Sequence, residues 1–305
     1  MDGYRFFYCP FCGRGFDFQK ERINTAFTCP LCLATVMRRE GEEGSPRAVA
    51  IPITEGESFA RDGFTVRDGM LISYVGNDSA PRIPEGVVAI GEAAFKGNRT
   101  LREIVIPESV KYIGHSAFAE CEGMRRLTLP KDLVAIGNCA FESCRRLERV
   151  KIPKTLRAGG YAIFNRCDNL AEADFPMDMV YLGGSPHSFC RRLLRSQVPH
   201  CVQSITHWIA DNDALESLTL GRRVHSIDYP LVSPRLCEVY FTQPEGWAYT
   251  PCNIPWDGTF EAIDPAVLAH PKKAAQFLKK LQGMRRTIRR IEYEPEEPYY
   301  LNVEE

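Results

Sequence analysis

The stretch Ile106–Cys121 reads IPESVKYIGHSAFAEC, and it poses the question of whether its closing cysteine is a reactive group or a structural one. The chain answers by repeating itself. Prolines fall at Pro84, Pro107, Pro130, Pro153, Pro176 and Pro199, a constant step of 23 residues, each after an apolar residue. Gly91, Gly114, Gly137, Gly160 and Gly183 keep the same step, as do Phe95, Phe118, Phe141 and Phe164, and then Cys121, Cys144, Cys167 and Cys190. A fixed period of this length marks a solenoid, in which one unit cannot bury its apolar faces alone and gains its core from stacked neighbours.

Each part of the unit L-x-x-I-x-I-P-x-x-V-x-x-I-G-x-x-A-F-x-x-C-x-x has a physical reading. Leu101, Ile104 and Ile106 mark a short strand with one buried face, which Pro107 ends by withholding an N–H. Val110 and Ile113 form a second short apolar pair, and Gly114 supplies a turn where a side chain obstructs the chain. Ala117 and Phe118 fold inward as the wedge of the coil. Neighbouring coils are expected about 4.8 Å apart, the spacing of hydrogen-bonded strands.

These residues resemble the BspA-type leucine-rich repeat family, whose members carry the same I-P-x-x-V-x-x-I-G-x-x-A-F-x-x-C unit. The resemblance covers Phe64 to Phe241, with four clear copies from Ile83 to Cys167. Upstream, FTVRDGMLISYVGND is similar to a divergent entry repeat, with Phe64, Val66, Leu71 and Ile72 expected to cap the open core. Downstream, Pro199, Val202 and Ile205 keep the pattern, but Ala210 and Asp213 stand where Phe and Cys are expected. Leu215, Leu218, Leu220, Val224 and Ile227 restart it one residue early, and Leu236 to Phe241 gives a last strand. His187 in the phenylalanine slot, with Phe189 two residues on, predicts a rearranged coil over 183–190. The resemblance implies that the repeat cysteines are small buried residues packing against the next turn, and it offers adhesion and host contact as roles of secreted relatives.

Four other cysteines read differently. YCPFCGRGF and FTCPLCLATV carry C-P-x-C knuckles at Cys9 with Cys12 and Cys29 with Cys32, separated by sixteen residues. Two such turns can close a tetrahedral four-cysteine shell around structural Zn2+, the signature of a zinc ribbon, with no coordination position left for substrate. Iron in a rubredoxin-like site and a pair of redox dithiols are the alternatives. The metal is expected to supply much of the folding energy of so short a module.

The C-terminal stretch PKKAAQFLKKLQGMRRTIRRI, Pro271 to Ile291, has eight Lys or Arg and no acid. Phe277, Leu281, Met284, Ile288 and Ile291 share one helical face, which predicts an amphipathic basic helix. Its apolar face is expected to cap the solenoid, with nucleic-acid binding through Lys272–Arg290 as the other reading. The expected organisation is a zinc ribbon over 1–40, a linker over 41–50, the solenoid over 51–262, the basic helix or cap over 263–291 and an acidic tail over 292–305. The fold class is therefore mainly β, a leucine-rich-repeat solenoid of short stacked strands between an N-terminal ribbon and a C-terminal helix.

The 305-residue chain balances 38 basic against 39 acidic residues, so its surface as a whole is no trap for nucleic acid or membrane. An acid at Asp2 and no apolar run at the N-terminus argue against a secretory signal, and no stretch is long and apolar enough for a membrane helix. Cytoplasm is the expected compartment, where twelve cysteines are thiols and metal ligands more often than disulfides. The six histidines show no repeated ligand spacing, and no nucleotide-binding or nucleophile motif occurs, so an enzyme is not expected.

On the first strand of each coil the outward residues form one exposed sheet. Arg102, Arg125, Arg126, Arg149, Lys151 and Arg195 are its candidate partner-binding cations, interleaved with Glu103, Glu148, Glu172 and Asp174; at the coil exit Arg145, Arg146, Arg191 and Arg192 flank Asp168, so cross-coil ion pairs are as open as a ligand patch. The expected function is a non-enzymatic protein–protein interaction scaffold acting through this face. The alternative is a nucleic-acid-associated adaptor using the ribbon and the basic helix.

Overall fold

A computed structural model describes residues 58–205, 212–227, 233–249, 260–283 and 288–290. Nearer the N-terminus it describes 6–9, 11–12, 15–17, 26–29, 32, 34–40 and 46–49. The linker stretch 41–45, the acidic tail 292–305, and His207, Ala210, Met284 and Ile291 lie outside the described residues.

Two parallel strand columns run the length of the repeats. The second strand of each coil builds a sheet in which Tyr181–Leu182, Ala158–Gly159, Ala135–Ile136, Tyr112–Ile113 and Ala89–Ile90 pair in turn, each with the coil before it. The first-strand column pairs Glu103–Val105 with Arg126–Thr128 and continues through single bridges from Arg126 to Arg149 and from Arg149 to Glu172. It resumes as Arg195–Val198, Ser217–Leu220 and Glu238–Phe241.

The wedge is the centre of the core. Phe95, Phe118, Phe141 and Phe164 stack one on the next at centroid separations of 4.7, 5.3 and 5.4 Å with nearly parallel rings. Each repeat cysteine sits beside this ladder and donates its thiol to the preceding coil: Cys121 to the Phe95 carbonyl, Cys144 to Phe118, Cys167 to Phe141 and Cys190 to Phe164, at 3.1 to 3.2 Å. Each of these carbonyls also accepts a backbone N–H, from Asn98, Cys121, Cys144 and Cys167 in turn, so the thiol fills its second acceptor site. Polar residues follow the cysteine in this slot, with different bonds. Asn212 is buried in the equivalent place and accepts from the Cys190 N–H at 2.7 Å, and buried Ser233 donates to the Asp213 carbonyl.

The repeat glycines are required by close approach. A Cβ at Gly160 would lie 2.4 Å from the Asn138 nitrogen, and one at Gly183 would lie 2.7 Å from the Gly160 carbonyl carbon. The left-handed conformations fall instead on Ala93, Ser116, Cys139, Ala162 and Ser185, and again on Glu120, Ser143, Arg166 and Phe189.

Two local expectations are corrected. The coil at 183–190 is not rearranged: His187 is fully buried and continues the ladder, 6.0 Å from Phe164 and nearly parallel to it. Phe175, in a slot that holds Ile, Leu or Val in the other coils, packs 5.1 Å from the smaller ring, while Phe189 takes the left-handed outer position under Arg166. At the entry, Phe64–Arg67 and Met70–Tyr74 form an antiparallel hairpin with a register shift at Thr65/Val66. Phe64, Val66 and Leu71 are buried as expected, but Ile72 is only half-buried, and Tyr74 starts the aromatic stack 5.2 Å from Phe95.

The C-terminal element also differs. The described helix is Pro271–Gly283, and β-branched Ile288 opens a strand, Ile288–Arg290. That strand lies antiparallel between Ser226–Ile227 and Trp247–Tyr249, so the basic stretch Lys272–Arg290 is not one continuous helix. Ala274, Ala275, Leu278 and Leu281 are buried in the same core as the repeats, and Phe277 meets Tyr249 edge to face at 5.9 Å. The helix thereby covers the end of the repeat stack, the place where a solenoid would otherwise expose its core. No helix among the described residues is long and apolar enough to cross a membrane.

Candidate metal centre and binding face

Each cysteine knuckle sits at the turn of an antiparallel hairpin. Phe6–Tyr8 pairs with Gly15–Asp17, and Ala26–Thr28 with Thr35–Glu40, which carries Pro46–Val49 on its other side. The Cys29 N–H donates to the Ala34 carbonyl at 2.8 Å, closing the second turn around Cys32. Two turns of this kind aim two thiols each at a common point. The Sγ atoms of Cys9, Cys12, Cys29 and Cys32 all lie within 4.8 Å of one another, and all four residues are buried.

The cross-knuckle separations, Cys9 to Cys32 and Cys12 to Cys29, are both 3.6 Å. A disulfide needs about 2.05 Å, whereas a tetrahedral ion with metal–sulfur bonds of about 2.3 Å sets its sulfurs about 3.8 Å apart. The spacing suits a shared cation. The hydrogen bond between Cys12 and Cys29 pushes the Cys12 thiol up and holds Cys29 down.

The knuckles rest on the repeats. Cys9, Phe11, Cys12, Cys29, Cys32 and Ala34 form one apolar cluster with Ala89, Ala135 and Ala158, the outward residues of three second strands. The Phe11 ring lies 5.0 Å from that of Tyr112. Burial raises the Tyr112 phenol, and the Cys32, Cys29 and Cys9 sulfurs add to the rise. The spacing of the cysteines does not reveal this seat. The available signal is alanine at three outward strand positions where a solvent-facing sheet favours polar residues.

The first-strand face carries the sequence-predicted cations, three of the six in cross-coil pairs. Arg126 reaches Glu103 at 3.6 Å, Arg149 reaches Glu172 at 3.8 Å, and Arg195 reaches both Glu172 and Asp174, at 3.7 and 3.1 Å. Exposed pairs of this kind contribute about 0–1 kcal/mol each. Arg102 folds back on the Arg99 carbonyl at 2.7 Å. Arg125 and Lys151 are exposed and have no ion pair among the described residues. Val105, Leu194 and Tyr240 add exposed apolar surface to the same face.

The repeat is specific enough to classify. A family model described as BspA type Leucine rich repeat region matches residues 78–190 and 116–231, with six copies. The chain belongs to the BspA-type leucine-rich repeat family.

Among solved structures, a leucine-rich repeat protein from Bacteroides ovatus is 26% identical over 60% of this chain, with a TM-score of 0.52. The BspA-type chain described here spans about half of that protein, 51% of its length. A leucine-rich repeat protein of T. pallidum is 23% identical over 54% of this chain and 86% of its own, with a TM-score of 0.47. A leucine rich cell surface protein of Faecalibacterium prausnitzii is 17% identical over 70% of this chain and 76% of its own, with a TM-score of 0.36. No curated protein matches the sequence.

The basic C-terminal stretch offers less of a site than its charge promises. Lys279 donates to the Pro234 carbonyl at 2.9 Å, and Arg290 to the Gln243 side chain at 2.6 Å. Lys272, Lys273 and Lys280 remain exposed on the helix, while Arg289 and Arg290 stand on the strand.

Proposed function

We propose that this BspA-type chain is a non-enzymatic protein–protein interaction scaffold that presents its first-strand face to a protein partner. Cys9, Cys12, Cys29 and Cys32 hold structural zinc in an N-terminal ribbon. The observation that carries the reading is the division of labour among the faces. The second-strand face is covered by the knuckles over Ala89, Ala135 and Ala158, and the stack is covered at its ends by the entry hairpin and the C-terminal helix. The first-strand face stays open, with charge arranged coil by coil and exposed Val105, Leu194 and Tyr240 within it. Surfaces of this shape are where solenoids bind.

The free thiols of Cys121, Cys144, Cys167 and Cys190 suit a reducing compartment and support cytoplasm as the location. A closed all-thiolate shell suits zinc and iron alike, and a shared ion is favoured over a redox dithiol by sulfurs 3.6 Å apart across the knuckles.

The test is affinity capture from the native host with two charge-reversed variants, followed by measurement of each recovered partner against the purified chain. Arg125→Glu with Lys151→Glu is expected to abolish binding, and Lys272→Glu with Lys273→Glu to leave it intact. The opposite pattern, with binding that weakens steeply with salt as counterion release requires, would replace the scaffold with a nucleic-acid adaptor.

A further inference from the structure

We infer that the cysteine module is a metal-held cover over the second-strand face, so that metal occupancy decides whether this face is closed or open. The inference rests on the metal reading above and adds a coupling to it.

Alternation along a two-residue strand turns Ile90, Ile113 and Ile136 into the core and Ala89, Tyr112 and Ala135 outward. Outward residues of a sheet that faces water retain exposure. Here Ala89, Ala135 and Ala158 have 0% of their surface accessible, and the groups packed with them are Cys9, Phe11, Cys12, Cys29, Cys32 and Ala34. Met70, Tyr112 and Tyr181 border the alanines, half-buried against the same cluster. At Ser204, the equivalent position one coil beyond Tyr181, the residue is exposed, so the cover ends there.

The seat is small and apolar, and what meets it are the metal-binding turns themselves. A knuckle keeps its shape because two of its thiols are fixed on an ion, and a module this short has little other core to hold Phe11 in place. Phe11 falls between Cys9 and Cys12, so the ring that packs on Tyr112 is carried by a ligand turn. Removing the ion leaves four crowded thiols and a loosened turn. The contact on Tyr112 and the alanines is then lost, while the Phe and Cys columns inside the repeats, which share no ligand with the module, stay formed.

The test uses the full-length chain. Bound metal per chain is measured first. Ala135→Cys, Ala158→Cys and Ser204→Cys variants are then labelled with N-ethylmaleimide, with and without a zinc chelator, and read peptide by peptide. Labelling at 135 and 158 is expected to rise about tenfold or more on chelation, with 204 reactive throughout and native Cys144 unreactive in both states. Metal that is bound and removed without any change at 135 and 158 would overturn the coupling and leave the metal reading standing. A purified chain without metal that still protects 135 and 158 would overturn both. If the cysteine variants do not fold, hydroxyl-radical footprinting of Met70 and Tyr112 in the wild-type chain gives the same readout, and unchanged oxidation on metal removal overturns the inference.

Discussion

The chain uses cysteine in two ways, and comparing the two regions shows what decides the role. In the repeats, Cys121, Cys144, Cys167 and Cys190 recur one coil apart, and each thiol donates to a carbonyl of the coil before it. Burial pushes Cys121 and Cys190 up to about 12, and Cys144 and Cys167 well above the ordinary thiol range, so they are poor nucleophiles and poor ligands. In the knuckles, four equally buried cysteines converge within 4.8 Å. Burial is the same and chemistry is not. Regular spacing along a stacked fold spreads thiols into a column, one carbonyl for each, whereas paired spacing across two hairpin turns gathers them at a point.

The comparison can be broken hardest at the knuckles. Cys12→Ser is expected to abolish bound metal, which elemental analysis reads directly, and to cost the module on the order of 10 kcal/mol of metal-linked folding energy. The repeats are expected to keep their far-ultraviolet signature. If the repeats unfold with the module, the two regions are not separable.

Within the column, His187 is the polar ring of the ladder. Burial lowers its imidazole to about 4 from 6.5, with the Ala173 backbone opposing the shift. A group held neutral by the fold takes up its proton more readily when unfolded. Stability is therefore full above pH 6.5 and falls as pH drops toward 4, by up to about 3 kcal/mol. Denaturant titrations at pH 7 and pH 4.5 are expected to show this loss in the wild type and a reduced loss in His187→Phe.

Cys144→Ala removes a buried hydrogen bond and a sulfur, at an expected cost of about 1–2 kcal/mol, with no change in bound metal. The raised thiols give the sign of the alkaline limb. Their protonated state is favoured by the fold, so their contribution is complete below pH 9 and is lost as pH rises toward 12. Cys144→Ala is expected to flatten that limb in an unfolding series from pH 8 to pH 11. A change in metal content in this variant would contradict the separation of roles.

The smallest effect concerns the outer turn. Ser143, at φ 60°, stands where the first coil has Gly97 at φ 72°. Ser143→Gly relieves a left-handed residue and adds unfolded-state entropy, terms of similar size, so stability is expected to move by about 0.5 kcal/mol or less. A loss above about 1 kcal/mol would mean that the serine side chain matters to the column.

Most of the solenoid was legible because its period is written in Pro, Gly, Phe and Cys, each required once per coil. Gly114 and Gly160 were readable as positions that exclude a side chain, and the close approach of stacked backbones is the reason. The change of element was not legible: apolar spacing runs on through Ile288, yet Ile288–Arg290 pairs as a strand between the edges of two others, beyond the helix Pro271–Gly283. Tyr74 was missed because it joins the ladder from an antiparallel hairpin that follows no repeat. His187 was misread because its slot, not its polarity, determines its place.

By itself the sequence determined the coil, its period, the thiol column and the pairing of four cysteines in two turns. These follow from spacing along the chain, which each coil or turn enforces locally. The tertiary structure decided what lies against what: the knuckles on Ala89, Ala135 and Ala158, and the C-terminal strand between two repeat-region strands. Such contacts join residues with no fixed separation in the chain, and they form because exposed sheet faces, sheet edges and core ends must each be covered by whatever segment can reach them.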